Sequence, residues 1–394
     1  MTTVEQSVSR PSANAGTLLM LILISAPLQA LLFTCPGPVL TMIKRHFEAE
    51  AGLFGAQMIM STPGLGIILG GWAAGRLVER FGAQRILAFA LPLYALCGAA
   101  GLVLDSLGGL LLSRLLQGGA TAFIAGSALA LVAEGGAGSQ PRLLSWQAFW
   151  GALAGLASLP LAGWLGETRG WHGPFVLYLS PLLFWLLALP QLMRASVPRV
   201  QPLVSEKPRS STLHLWPLLL AVTLIFAAIF MRTSTLPFLM AEAGVVRPMP
   251  QSWMLTLGCL TNALGALSFI PVARYLSPLR CLSLCLLVFG AGDILLGASH
   301  TVAPLLIGAS ISSAAGGFAG PCLAHILLDR AGPALHKAAS GLLFTAIYLG
   351  DFINPMLTAL LCKAFEMHGV YTLVGGLLVA GSVLLIWRRK GSRT

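Results

Sequence analysis

Twelve long apolar stretches are the feature of this sequence that most constrains its fold. A bilayer core requires roughly 20 consecutive apolar residues for each helix that crosses it. Backbone groups in lipid must be satisfied within their own segment, which leaves helices as the spanning structure. The sequence therefore predicts an all-α integral membrane protein with about twelve transmembrane helices. The stretches are Thr17–Met42, Gly52–Gly75, Ile86–Leu104, Leu107–Val132, Leu143–Leu165, Pro174–Leu192, Leu215–Met240, Met254–Val272, Leu282–Gly297, Val302–Leu328, Ala339–Leu361 and Val370–Trp387.

The composition agrees with a membrane protein. Of the 394 residues, 56% are hydrophobic and 9% are charged, whereas soluble domains carry about 25% charged residues. The segments between the apolar stretches are too short for a soluble catalytic domain, and the sequence has no Gly-x-x-x-x-Gly-Lys-Ser/Thr loop for ATP. The sequence therefore predicts neither an enzyme nor an ATP-driven pump, and it predicts no cofactor and no metal site.

The basic residues indicate the orientation of the chain. A net charge of +11 would suit nucleic acid, but the Lys and Arg residues lie mainly between the apolar stretches, where orientation signals belong. With a cytoplasmic N-terminus, 17 of them fall in inside segments and 5 in outside segments. We therefore expect a multi-pass protein of the inner (cytoplasmic) membrane, with both termini in the cytoplasm, the lipid bilayer as its surroundings and no nucleic-acid partner.

A polar segment near the midpoint divides the apolar stretches six and six, as in duplicated transporters. The predicted organisation is a cytoplasmic tail (1–16), a six-helix bundle (17–193), a cytoplasmic loop (194–214), a second six-helix bundle (215–387) and a tail (388–394). An offset of 195 positions relates matching residues of the two halves. These pairs are Arg85 with Arg280, Arg142 with Lys337, Arg194 with Arg389, Gly155 with Gly350, and Pro160 with Pro355.

A motif of small and charged residues follows the second apolar stretch, and we expect it to form a loop. It contains, in order, Gly75, Glu79, Arg80, Gly82 and Arg85. Glycines allow a tight turn, and the acid can pair with an arginine or with a helix N-terminus. Such a loop can latch one conformation of a transporter, or it can act only as a basic orientation signal.

This spacing resembles the signature of the major facilitator superfamily between helices two and three, Gly-x-x-x-Asp-Arg-x-Gly-Arg-Arg. Glu79 stands at the position of the Asp, and Ala83-Gln84 departs from the usual basic residues. The resemblance implies two pseudo-symmetric six-helix bundles and a gating role for Glu79, Arg80 and Arg85.

Arg114 lies inside the fourth apolar stretch, where a charged side chain is costly and by default functional or paired. Arg114 followed by Gln117-Gly118 resembles the second motif of the family, which implies a part in proton coupling for Arg114. Gln117 is a candidate substrate ligand. In the alternative interpretation Arg114, about 10 Å from the start of its helix, extends to the membrane interface.

Gly155, Pro160 and Gly163 mark the fifth apolar stretch. Small residues at intervals of four form a flat helix face for close packing, and proline permits a kink. The pattern resembles the helix-five motif of exporters in the superfamily, although Leu159-Pro160 stands where the family has Gly-Pro. The resemblance favours export over import.

Two acidic residues lie within apolar stretches, Asp293 in the ninth and Asp351 in the eleventh. They lie about 17 and 18 Å from the inner ends of their helices, close to the midplane. Desolvation there favours the protonated form of a carboxyl, so both are candidates for proton coupling. The alternative is a buried structural ion pair, which suits Asp293 better because the ninth helix of this fold tends to lie outside the central cavity.

Three further residues complete the candidate site. Arg232, in the seventh stretch, can pair with Asp351 or receive an anionic substrate, and Asn354 shares a helix face with Asp351. His325 is a coupling candidate because histidine titrates near neutral pH, although it can also be a satisfied or interfacial histidine. Drug–proton antiporters of this family commonly carry a carboxylate in helix one or four, and this chain has none there. The second half would then carry the proton.

The sequence as a whole predicts a monomeric secondary active transporter that exports a small organic molecule, a drug or a siderophore-like metabolite, with protons as the coupling ion. The alternatives are an importer or facilitator of a small metabolite and a transport-inactive membrane sensor or scaffold.

Overall fold

The computed structural model describes residues 13–134, 140–194 and 212–391. Twelve stretches of these residues are long and apolar enough to cross a membrane, which confirms the predicted all-α fold. The described residues contain no strand and form thirteen α-helices with five short 3-10 turns between them. The helices are α1 Ala13–Thr34, α2 Leu40–His46, α3 Gly52–Phe81, α4 Ala83–Ala99, α5 Leu107–Glu134, α6 Gln140–Arg169, α7 Ser180–Arg194, α8 Trp216–Glu242, α9 Pro248–Tyr275, α10 Pro278–Gly297, α11 Val302–Ala331, α12 His336–Leu361 and α13 Met367–Gly391.

The first predicted span is broken near its end. Helix α1 stops at Thr34, a 3-10 turn covers Gly37–Val39, and the short helix α2 follows. Pro36 and Pro38 lie in this break. Proline has no N–H to donate and its ring clashes with the preceding turn, so two prolines two positions apart favour a break in the α-helix here.

The segment predicted as a loop after the second span is mostly helical, and this part of the prediction is wrong. Helix α3 continues through Gly75, Glu79 and Arg80 to Phe81, and α4 begins at Ala83. The whole reversal is made at Gly82, whose φ of 86° is a conformation that favours glycine. Arg85 therefore lies in the first turn of α4, three residues after the reversal and close to the end of α3.

The helices before and after segment 195–211 form two groups, which we call the first half (α1–α7) and the second half (α8–α13). Almost all the buried apolar residues of one core belong to the first half, and those of two further cores belong to the second. The predicted tail 1–16 and loop 194–214 lie mostly outside the described residues, and so do residues 392–394 of the predicted tail 388–394, whose first four residues continue α13. The organisation proposed for these segments stays a prediction.

Because twelve spans alternate in direction, α1 starts and α13 finishes at the same end of the bundle, which we call the terminus-bearing end. The main contacts between the halves are α6 with α9 and α3 with α12.

Candidate substrate and coupling site between the halves

An aromatic cluster joins the halves near the middle of the bundle. Phe33 of α1 stacks on Tyr348 of α12, with ring centroids 6.1 Å apart and an angle of 13° between the rings. The same phenylalanine lies 6.4 Å from Phe230 of α8. The Gln29 side chain, one turn before Phe33, donates a hydrogen bond to the Tyr348 hydroxyl. Residues from three helices thus present two kinds of contact for a planar molecule, ring faces and an amide.

Asp351 lies beside this cluster, 3% exposed, where α12 packs against α3. It shares a small cavity of about 20 Å³ with Phe33, Ser61 and Phe230, which is room for about one water molecule. A Cβ atom on Gly64 would lie 2.7 Å from Asp351 Oδ2, so the approach of α3 depends on that glycine. Oδ2 has no hydrogen-bond partner, and no Lys, Arg or His in the described residues forms an ion pair with Asp351. The carboxyl is buried at the contact without a counter-ion.

A short chain of polar side chains crosses between the halves one turn from Asp351. Asn354 donates to the Ser234 hydroxyl at 3.0 Å, and Gln57 of α3 donates to the same hydroxyl at 3.4 Å. The Asn354 carbonyl accepts from Thr358 at 3.0 Å. Asn354 and Asp351 therefore share one helix face, as the sequence predicted, and that face meets the other half.

The helix-five residues close the opposite end of the bundle. A Cβ atom on Gly163 would collide with Ser252 of α9, so this glycine permits α6 and α9 to touch. Four residues further along α6, Glu167 forms an ion pair with Arg247 at 3.1 Å. Gly155 instead faces Ala30 of α1 within the first half, and Pro160 lies inside the uninterrupted helix α6. Of the three motif residues, Gly163 makes the contact between halves.

Arg114 is completely buried in the first half and does not reach the membrane interface. Its guanidinium donates to the Ile59 carbonyl at 3.2 Å, to the Gln117 side-chain oxygen at 2.5 Å and to the Leu32 carbonyl at 2.7 Å. It also lies 5.1 Å from the centroid of the Tyr178 ring. Gln117 is buried with it and is turned toward the arginine, away from the aromatic cluster between the halves.

Two prolines explain why Arg114 donates to these two backbone carbonyls. In an α-helix each carbonyl accepts from the N–H four residues later. Pro36 follows Leu32 by four positions and Pro63 follows Ile59 by four, and neither proline has an N–H. Arg114 thus donates to one carbonyl in α1 and one in α3 that their own helices cannot satisfy.

Arg232 lies beside Asp293, not beside Asp351. It is 6% exposed and donates to the Ser313 hydroxyl of α11 at 2.7 Å, while its Nε has no partner. Asp293 of α10 accepts from Ser312 at 2.7 Å and interacts electrostatically with Arg232 without an ion pair within salt-bridge distance. The suggested pairing of Arg232 with Asp351 is wrong for this structure, because Arg232 is directed into the second half and Asp351 is directed toward α3.

The remaining candidates lie apart from this site. Glu79, Arg80 and Arg85 are exposed at the terminus-bearing end, and Arg80 lies 5.3 Å from the ring of its neighbour Phe81. His325 is exposed on α11, 6.3 Å from the Phe269 ring centroid. These three motif residues, His325 and Asp351 therefore do not form one cluster.

Several residues of the site were not predicted from the sequence. They are Gln29, Phe33, Gln57, Phe230, Ser234 and Tyr348. Tyr348 lies one turn from Asp351, and that spacing was a usable signal. An aromatic residue in an apolar helix is otherwise indistinguishable from one that faces lipid or the core.

Comparison with known proteins agrees with this architecture. The family model of the Major Facilitator Superfamily matches residues 22–246 and again residues 218–394. The matches cover nearly the whole chain, and the chain belongs to this superfamily; it is a secondary transporter rather than an enzyme. No curated protein matches the chain.

The fold is similar to that of a solved transporter. A mutant of the nucleoside transporter NupG superimposes with a TM-score of 0.69 and 12% sequence identity, over 94% of this chain and 98% of that chain. At this identity the likeness shows the fold alone.

Proposed function

We propose that this transporter is a proton-coupled exporter of a small organic molecule and that Asp351 carries the coupling proton. The observation that supports the proposal is the buried carboxyl of Asp351, without a counter-ion, at the contact between α3 and α12. Asn354 and the aromatic cluster lie next to it and would contact the cargo.

The position of Asp351 would couple its proton to the conformation of the protein. A neutral carboxyl can pack against Gly64, whereas a charge buried without a partner is costly. Loss of the proton would therefore favour states in which α3 and α12 separate and water reaches the carboxylate. Transporters of this architecture work by rocking of one half against the other around a fixed site, so such a preference would link proton binding to alternating access.

The proposed direction of transport and the proposed class of cargo both rest on the contacts between the halves. We propose export because the helix-five residue Gly163 forms the closing contact with α9, as the exporter-like motif suggested. The aromatic cluster and the unpaired Asp351 suit an uncharged or cationic aromatic compound. Arg232, the candidate ligand for an anionic, siderophore-like cargo, is bonded inside the second half and is a weaker candidate for that role.

A second candidate function is a facilitator or importer of a planar metabolite. The nearly parallel Phe33 and Tyr348 rings and the amide of Gln29 are groups that could hold a flat ring and its edge. The likeness of the fold to a nucleoside transporter makes nucleosides a sensible part of any substrate screen.

At the terminus-bearing end we propose a gate. Glu79, Arg80 and Arg85 are exposed here and would form charge contacts with the other half when that end closes. On the basic-residue asymmetry we propose that this end is cytoplasmic, that the membrane is the inner membrane and that the monomer is the working unit.

The test is transport by the full chain in proteoliposomes. A substrate would first be identified by its effect on Tm in a panel of aromatic drugs, siderophores and nucleosides. Wild type should accumulate it against its gradient when a pH gradient is imposed. Asp351→Asn should lose this accumulation and retain exchange of labelled for unlabelled substrate, since Asn resembles the protonated acid. The matched control is Asp293→Asn, which should still accumulate substrate. Proton-driven accumulation by Asp351→Asn would refute the assignment.

A further inference from the structure

Two clusters of histidine and carboxylate side chains lie at the opposite end of the bundle, one in each half. In the first-half histidine cluster, His46 Nε2 and His172 Nε2 lie 3.8 and 3.6 Å from the same oxygen of Asp105. In the second-half histidine cluster, His368 Nε2 lies 3.2 Å from a Glu242 oxygen, and the ring centroids of His368 and His300 are 4.4 Å apart. None of these residues belongs to the site described above.

The two clusters occupy equivalent places in the repeat. Asp105 and His300 are 195 positions apart, which is the offset that relates the halves in sequence. His172 and His368, and likewise His46 and Glu242, are separated by 196 positions. Each cluster thus contains one residue from each of three interhelical connections that correspond between the halves. The acid is Asp105 in the first half, where the second half has His300, and it is Glu242 in the second half, where the first half has His46.

The contacts of His172 place one ring nitrogen on a backbone carbonyl and the other beside Asp105. Its Nδ1 lies 2.8 Å from the Gly101 carbonyl oxygen, which can only accept, so Nδ1 carries a hydrogen. In the neutral ring Nε2 would then be an acceptor, and it faces the carboxylate of Asp105, which is also an acceptor. A proton on Nε2 makes that nitrogen a donor, so the charged ring is attracted to the Asp105 carboxylate. Within the described residues no group of three or more His, Cys, Asp or Glu has the arrangement to hold a metal ion.

The first-half histidine cluster touches an element that closes the opposite end. His46 is the last residue of α2, the short helix after the proline break. Helix α2 packs against α8 of the other half, where Lys44 lies 5.9 Å from the Phe238 ring. Helix α8 ends at Glu242, which belongs to the second-half histidine cluster. The two clusters therefore hold the two helices that meet across the closed end.

The other charged groups of these connections either contact other side chains or are exposed. Glu167 is paired with Arg247 across the halves, and Lys44 faces Phe238. The others are exposed and form no recorded ion pair with either cluster. They are Arg45, Glu48 and Glu50 after α2, Arg169 at the end of α6, and Lys363 and Glu366 before α13.

From this arrangement we infer that the two clusters are repeat-related proton-binding latches: protonation of their histidines ties the connections of each half together and holds α2 and α8 in the closed arrangement of the opposite end. The sign follows from the charges. A protonated histidine is attracted to Asp105 or Glu242 in the closed arrangement, so closure favours proton binding and acid favours closure. The latching therefore weakens as pH rises. The inference does not depend on Asp351.

Hydrogen–deuterium exchange of the full chain in lipid nanodiscs tests this inference without a substrate. Exchange is compared at about pH 5.5 and about pH 7.5, on either side of the usual histidine range, after correction for the intrinsic effect of pH on exchange. The two reporter segments are Leu40–His46 (α2) and the first turn of α13. Both should exchange about threefold to fivefold more slowly at the lower pH, a modest factor because partly exposed ion pairs are weak.

Variants separate the latches from a general effect of charge. Asp105→Asn should remove the pH dependence of α2 and leave that of α13, and Glu242→Gln should do the reverse. Glu50→Gln, which removes an exposed acid outside the cluster, should change neither. His172→Gln provides a second route if Asp105→Asn does not fold. Equal exchange at both pH values in wild type would overturn the inference, and so would a loss of pH dependence in Glu50→Gln as complete as in Asp105→Asn.

Discussion

The two halves of the molecule each bury one arginine in a transmembrane helix, but they neutralise it in different ways. Arg114 in the first half is surrounded by two backbone carbonyls, an amide oxygen and an aromatic ring. Arg232 in the second half has one hydroxyl partner, an unpartnered Nε and Asp293 within electrostatic reach. No carboxyl lies among the described groups that contact the first arginine, whereas the second has the Asp293 carboxyl within electrostatic reach.

This difference indicates a division of labour. In the first half the cation donates to two carbonyls that prolines leave free, which is a structural contribution, and its part in proton coupling stays a prediction. The second half contains both acidic residues that lie deep within the helices, Asp293 and Asp351. Proton chemistry is therefore expected in the second half. The first half is expected to be the more rigid body, against which the second half moves.

The largest expected effect is that of removing Arg114. Arg114→Leu should lower the free energy of unfolding by about 3 kcal/mol or more, because buried acceptors lose their donor at about 1 to 3 kcal/mol each. Thermal unfolding in detergent measures this, with the exposed Arg142→Leu as a control that should change stability by about 0.5 kcal/mol or less.

A second substitution shows whether the prolines are the cause. In the Pro63→Ala background, Ile59 regains an N–H partner in its own helix, so the cost of Arg114→Leu should fall by about 1 kcal/mol, the worth of one hydrogen bond. An unchanged cost would mean that Arg114 stabilises the half by another route, and the comparison between the two arginines would lose its basis.

The intermediate effect concerns Arg232 and Asp293. Each of Arg232→Gln and Asp293→Asn should destabilise the protein by about 1 to 3 kcal/mol, and the double variant by less than the sum, with a coupling energy of about 1 kcal/mol. Tm measurements on the four proteins give the coupling. Additive effects would show that the acid does not neutralise the arginine, and the second half would then resemble the first.

The smallest effect on stability is expected at an exposed arginine. Arg80→Ala should leave the free energy of unfolding within about 0.5 kcal/mol of wild type. In this structure Arg80 is exposed, so it would act only when the terminus-bearing end closes. The substitution should slow transport and shift cysteine accessibility toward the state that is open at that end. Arg76→Ala, beside Trp72 in the same helix, is the matched control. Wild-type transport and accessibility in Arg80→Ala would leave the motif with an orientation role alone.

Much of the fold follows from the sequence, because spans are set by length and hydropathy. The shared face of Asp351 and Asn354 also follows, from helical periodicity alone. The proline positions identify the freed carbonyls of Leu32 and Ile59, but no local rule says that a residue 82 and 55 positions further on will satisfy them. The sequence places Arg232 and Asp351 inside apolar stretches but does not say which neighbours their side chains face. The site between the halves is a tertiary property and needed the structure.

The central claim is that the coupling proton is carried by Asp351, and proton movement tests it most directly. Proteoliposomes containing a pH-sensitive dye would report proton flux when substrate is added on one side. Wild type should move protons with substrate, Asp293→Asn should do so at a reduced rate, and Asp351→Asn should move substrate by exchange with no proton flux. Substrate-dependent proton flux in Asp351→Asn at the wild-type rate would contradict the account.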